Sequence, residues 1–239
     1  MSILNKIKKS LWKLNVDLDR FSSTKNYLYR RQKILDYYNI DTVLDVGANI
    51  GQYAVELREL NYRNKIISFE PMQNEFKILE NKTISDNKWE AFNYALGSKN
   101  DKEKINISHN SFSSSILNIL PTHIDNAPES KFKESEDIQV KKLDSVFNDL
   151  VSNNSKSYLK IDTQGYEKEV LIGAFDSLKK IDCIQIEMSL TPLYSNEASF
   201  DELFKLLNSK DFKLVGFESG FTNIKTGELL QLDGIFVRK

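Results

Sequence analysis

Along the chain, apolar positions fall into two rhythms. Residues 3–14 set Ile3, Leu4, Ile7, Leu11 and Leu14 on one face at helical spacing, with Trp12 beside them and lysines elsewhere, which predicts an amphipathic helix. A second helix is predicted over residues 25–38. Short apolar runs then recur at 42–46, 65–69, 89–95, 157–161 and 183–187. Helix-period stretches follow most of them, at 52–60, 73–82, around Val170, Leu171 and Ala174, and at 200–207. Buried strands alternating with helices make a parallel sheet covered on both faces. Two last strands, 212–217 and 235–237, are joined by the polar stretch 220–227 and form an antiparallel pair. The predicted fold is α/β, a doubly wound seven-stranded sheet with its last strand antiparallel.

The rhythm weakens between residues 99 and 142. Residues 104–108 and 138–141 read as short half-exposed strands, separated by Asn110-Ser111-Phe112-Ser113-Ser114-Ser115 and a loop containing Pro121 and Pro128. The domain organisation is therefore a helical extension at 1–39 and one domain at 40–239. Inside that domain, 99–142 is an inserted β element, placed to hang over the strand ends and face a substrate.

Composition narrows the class. A net charge of −1 with 28% charged residues gives no basic excess for nucleic acid. The single cysteine, Cys183, allows no disulfide framework or thiolate cluster and suits a reducing cytoplasm. No apolar run approaches the ~18 residues of a membrane span, and Lys6, Lys8, Lys9 and Lys13 interrupt any signal-peptide core. Residues 3–14 can rest on a membrane surface, pack on their own domain, or join two copies into a homodimer.

The stretch that organises the chain is residues 42–53, Thr-Val-Leu-Asp-Val-Gly-Ala-Asn-Ile-Gly-Gln-Tyr. A buried strand runs into a small-residue turn and then a helix. Gly47 and Gly51 let a ligand lie against the main chain, and Asp45 stands at the strand end. One strand later Glu70 closes residues 65–69, an acid about 20–25 residues past a glycine turn, as in ribose-binding folds. The G-x-x-x-G spacing falls one position short of the dinucleotide fingerprint. Turn and acid together resemble the S-adenosylmethionine site of a class I methyltransferase, whose ligand needs no phosphate cradle. That resemblance puts Asp45 toward the amino-acid part of the cofactor and Glu70 toward its ribose. It puts Asn93 and Ala95 near the adenine.

Asp162 and Glu187 close two further strands at the same edge. Asp162, followed by Gly165, is the candidate base that takes a proton from a substrate hydroxyl as its oxygen attacks the methyl. A helix-capping role for it stays open. His109 and His123, the only histidines, have the pKa for base catalysis, though a loop histidine is ordinarily just solvated. Ser114, Ser115, Gln164 and Glu187 are candidate substrate contacts. Tyr166 and Tyr194 can stack on a sugar ring or serve as packing. Two carboxylates are few for a dedicated divalent-cation site, so no metal is expected.

These segments together resemble the FkbM family of methyltransferases. The resemblance rests on Val43-Leu44-Asp45-Val46-Gly47-Ala48-Asn49-Ile50-Gly51, Phe69-Glu70-Pro71, Ala95-Leu96-Gly97, Ser114-Ser115, Leu143-Asp144-Ser145, Ile186-Glu187 and Ile235-Phe236-Val237. Most specific is Leu159-Lys160-Ile161-Asp162-Thr163-Gln164-Gly165-Tyr166-Glu167. The resemblance covers residues 40 to 239 and leaves 1–39 unmatched. It implies methyl transfer to a hydroxyl, often of a sugar in a glycan, with cofactor contacts at Asp45, Gly47, Asn49, Gly51 and Glu70. An NAD-dependent oxidoreductase and a non-catalytic S-adenosylmethionine-binding protein are the competing readings. The first lacks its phosphate cradle; the second leaves Asp162 and Glu187 without a task.

Overall fold

The computed structural model describes residues 3–14, 16, 21–23 and 25–239. It opens with two helices, α1 (Ile3–Trp12) and α2 (Tyr27–Tyr37). The face expected at Ile3 and Leu4 lies outside the described side chains. Asn26 caps α2 by accepting the Tyr29 N–H at 2.9 Å. Then follow β1 (Thr42–Val46), α3 (Gln52–Glu59), β2 (Lys65–Phe69), α4 (Gln73–Thr83), β3 (Trp89–Phe92) and β4 (Ala95–Leu96). The insert supplies β5 (Asp101–Ser108), a short helix α5 (Pro121–Asn126) and β6 (Phe132–Lys141). The chain continues through α6 (Leu143–Leu150), β7 (Ser157–Ile161), α7 (Glu167–Gly173), β8 (Cys183–Ser189), α8 (Phe200–Ser209), β9 (Phe212–Ser219) and β10 (Gln231–Arg238). Among the described residues, no helix is long and apolar enough to cross a membrane.

Seven strands form one sheet in the order β3-β2-β1-β7-β8-β10-β9. β3, β2, β1, β7 and β8 pair in parallel, and β10 runs antiparallel to both β8 and β9. The doubly wound fold with its last strand antiparallel is thus present. All residues of β1 and β7 are buried. On one face Leu44, Val46, Leu159, Ile161, Ile184 and Ile186 pack in the larger core. On the other, Val43, Tyr158 and Cys183 meet Ala54 and Leu57 of α3. Each such side chain contributes about 1.5–3 kcal/mol on burial.

The insert strands β5 and β6 begin earlier than the expected 104 and 138, and three other features differ from the sequence expectation. The run at 89–95 is two strands, because the Asn93 side chain donates to the carbonyls of Glu70 and Pro71 (3.0 and 2.9 Å) and breaks the ladder. β4 then leaves the main sheet and pairs with β6, which pairs with β5. The loop holding Pro121 contains α5, with proline at its first turn, where a missing N–H costs nothing. The last strand extends from the apolar 235–237 back to Gln231. Its polar Asp233 meets polar partners inside the protein, so alternation against solvent could not reveal it.

One row across the sheet is polar. Asp45 on β1 sits opposite Ser68 on β2 and Lys160 on β7, and Lys160 sits opposite Gln185 on β8. All four side chains are buried, which is tolerable only because they are bonded to one another or to their neighbours.

Candidate active site

A cavity of about 410 Å³ follows the carboxyl edge of the parallel strands, from β2 across β1, β7 and β8 to β10 and β9. One half is an apolar slot, walled by Met72, Ala95, Leu96, Ile105 and Ile116, with the single carboxylate Glu70. Glu70 accepts the backbone N–H of Asn49 (2.7 Å) and of Met72 (2.8 Å). Burial pushes its carboxyl up to about 8, against the pull of those two donors. Asn49, in the left-handed region at φ 47°, anchors the turn: its Oδ1 accepts the Ile50 N–H and its Nδ2 donates to Ser111 of the insert.

Gly47 is required by the protein's own backbone. Its φ is +76°, and a Cβ there would lie 1.9 Å from the Asp162 carbonyl oxygen. The first turn therefore presses directly on the end of β7. Beneath it, Asp45 is fully buried. Its Oδ2 accepts the Ser68 hydroxyl at 3.2 Å, and its Oδ1 has no hydrogen bond, only the Lys160 ammonium 3.4 Å away. Burial pushes Asp45 up while Lys160 pulls it down. Burial would lower the Lys160 ammonium, but Asp162, Asp45 and Asp233 together hold it above its ordinary value.

Asp162 marks the joint between the two halves, with its side chain 36% exposed. Its Oδ2 lies 3.4 Å from Lys160 Nζ, and its Oδ1 accepts from Gln164 Nε2 at 2.9 Å. Gln164 is fully engaged: Nε2 also donates to Glu187 (2.8 Å), and Oε1 accepts the Tyr194 hydroxyl (2.9 Å). Glu167 gathers the Thr163 N–H (2.8 Å), the Thr163 hydroxyl (3.1 Å) and the Gly165 N–H (3.3 Å) into one carboxylate. Burial raises Glu167 to about 7. Glu187 is raised by burial and then by Asp162, Glu167 and Asp233. The run from Asp162 to Glu167 is thus a self-bracing loop that fixes one carboxylate toward the cavity.

Of the residues singled out in the sequence, Gly47, Asn49, Glu70, Ala95, Ser114, Asp162, Gln164 and Tyr166 line the cavity. The others stand elsewhere, each for a physical reason. Asp45 lies one layer beneath, because the row of polar side chains points it under the sheet edge. Gly51 makes room for Leu79 and Trp89, and Asn93 is spent on the Glu70–Pro71 turn. Ser115 donates to the Gln164 carbonyl at 2.6 Å, and Tyr194 is fully buried against Gln164; both hold the loop from behind. Glu187 is reached only through Gln164 and Gln231. Neither histidine lies at the cavity. His109 is exposed, and His123 is packed between Tyr194 and Phe221, where burial lowers it to about 4 and keeps it uncharged.

Residues 45–214 match the family profile described as the methyltransferase FkbM domain. The chain belongs to this family. The matched domain is a methyltransferase domain, and its cofactor is S-adenosylmethionine. No curated protein matches the sequence significantly. Among solved structures, TehB from Haemophilus influenzae is 12% identical with a TM-score of 0.48, over 96% of this chain and 65% of TehB. This chain therefore spans just under two thirds of that protein. A putative RNA methyltransferase from Pyrococcus horikoshii is 12% identical with a TM-score of 0.45, over 100% and 99% of the two chains. Magnesium protoporphyrin IX methyltransferase from Synechocystis, solved with bound S-adenosylmethionine, is 7% identical with a TM-score of 0.46, over 100% and 98%.

The residues present suit this cofactor. A nucleoside needs an apolar slot for its base and an acceptor for its ribose hydroxyls, and Glu70 beside Met72, Ala95 and Leu96 offers both. Several lining residues of the cavity escaped the sequence: Lys160, Gln185, Glu218 and Asp233 on strands, Arg31 on α2, Tyr53 and Glu56 on α3. One signal was available for two of them, since Lys160 and Gln185 are each a polar residue flanked on both sides by apolar residues in a buried strand.

Proposed function

We propose that this FkbM methyltransferase transfers the methyl group of S-adenosylmethionine to a hydroxyl of a carbohydrate, with Asp162 as the general base. The observation that carries this is the placement of Asp162, a half-buried carboxylate on the cavity wall between the apolar residues beside Glu70 and the polar residues of β8, β9 and β10. Bound in the slot, the cofactor supplies an electrophilic methyl carbon on a sulfonium. Glu70 would accept hydrogen bonds from the ribose hydroxyls of the bound cofactor. Asp162 would accept the acceptor's hydroxyl proton as that oxygen bonds to the methyl carbon, whose bond to sulfur breaks with its electron pair left on the thioether product. Lys160 and Gln164 fix the Asp162 carboxylate in place, so that orientation is set before the acceptor arrives. A polar chamber with the aromatic ring of Tyr27 at its wall suits a sugar, whose ring faces stack and whose hydroxyls seek carboxylates. The free, buried Cys183 is in keeping with the reducing cytoplasm as the place of work.

Transfer of label from S-adenosylmethionine to a panel of simple glycosides tests this reading. Asp162→Asn is expected to keep cofactor affinity within about threefold while transfer falls by 10² or more. Wild-type turnover in that variant would remove Asp162 from the mechanism, and labelling of non-carbohydrate alcohols alone would remove the sugar.

A further inference from the structure

The second chamber has an unusual charge balance. Past Asp162 its wall carries Lys160, Asp233, Glu218, Arg31 and Glu56, four carboxylates against two cations when Asp162 is counted. Both cations are already committed. Arg31 Nε donates to Glu218 Oε1 at 3.1 Å, and its two terminal nitrogens pair with Glu218 and Glu56. Lys160 Nζ stands 3.4 Å from each of Asp45 Oδ1, Asp162 Oδ2 and the Gly47 carbonyl oxygen. Both side chains are nearly buried, at 5% and 7% exposure. Gln185 is committed as well, since its Nε2 donates to Asp233 (2.7 Å) and Glu218 (3.3 Å). Its Oε1 accepts the hydroxyls of Tyr53 (2.8 Å) and Tyr158 (2.9 Å).

An anionic group entering this chamber would have to strip a buried carboxylate from its cation, and would leave that carboxylate unpaired. Asp233 already feels the crowding. Burial and then the charge of Asp162 raise it to about 6. A hydroxyl meets no such barrier, and an ammonium would gain from the excess of carboxylates. We propose that the second chamber selects an acceptor that is uncharged or carries an amine beside the reacting hydroxyl, and rejects one bearing a carboxylate or phosphate there. Selection works by repulsion as much as by attraction. The proposal rests on the function proposed above, that an acceptor sugar occupies this chamber.

The test is label transfer from S-adenosylmethionine to matched sets of sugars: the methyl glycosides of glucose, glucosamine and glucuronic acid with glucose 6-phosphate, and the corresponding galactose set. Within whichever set is methylated, the neutral or amino member is expected to exceed the uronate and the phosphate at least tenfold in kcat/KM. Asp233→Asn, which removes one carboxylate from the wall, is expected to narrow that gap. A uronate or phosphate accepted as well as its neutral partner would overturn the charge rule and leave the carbohydrate reading standing. Transfer only to non-carbohydrate alcohols would overturn the carbohydrate reading instead. The charge rule would then be judged on those alcohols and their carboxylated and phosphorylated analogues, and equal rates among them would overturn it.

Discussion

Gly47 shows how much a single position can carry. Its positive φ costs an L-residue about 1–2 kcal/mol, and the Asp162 carbonyl oxygen 1.9 Å from its missing Cβ adds a steric cost that neither backbone can relax. Gly227 has nearly the same φ, +79°, with nothing within 4 Å. Gly227→Ala is therefore expected to cost about 1–2 kcal/mol in urea unfolding, and Gly47→Ala more than 3 kcal/mol, or the fold itself. Equal losses would mean that the turn can draw away from β7. Glu70 yields a pH dependence of definite sign. Ribose hydroxyls donate to its ionised form, and with its carboxyl raised to about 8 that form grows as pH rises. Cofactor affinity is expected to rise by up to tenfold per pH unit below 8 and level off above it. In Glu70→Gln this rise should vanish and binding should weaken by about 1.5–3 kcal/mol, both measured by titration calorimetry beside the wild type. Parallel profiles for the two proteins would detach Glu70 from the ribose.

At the scale of elements, α2 and the insert divide the roofing of the cavity. The insert, expected to face the substrate, lines the cavity with Ile105, Ser111, Phe112, Ser114 and Ile116, and Asn49 bonds to Ser111. Tyr27 and Arg31 of α2 and Tyr53 and Glu56 of α3 line it as well. α2 is tied down by Arg31, which reaches Glu218 on β9 and Glu56 on α3. Arg31→Met would leave Glu218 buried without its cation, at an expected cost of about 3–5 kcal/mol. The pair Arg31→Met with Glu218→Gln removes the stranded charge and is expected to recover most of that loss. Chemical denaturation checks both, and a double variant no more stable than the single one would show that packing of the Arg31 side chain, not its charge, holds α2. Sequence periodicity found α2 but not this role, since an arginine on a helix face looks like any solvated one until β9 is folded beneath it.

For the molecule as a whole, the local pattern of the chain was enough to read the alternation of strands and helices, the glycine turn, the acid at the end of β2 and the loop from Asp162 to Glu167. These are local: each depends on residues within a few positions of one another, on burial periodicity and on turn chemistry. The tertiary structure alone decided which of these residues meet. Asp45, Lys160, Gln185, Asp233 and Glu218 are far apart in the chain and become one connected polar group only through the strand order and register of the sheet. The same register sank Asp45 beneath the cavity floor, and tertiary packing turned His123 into a core residue. Strand order is set by non-local pairing and by the burial of both sheet faces, and a local pattern carries no record of either.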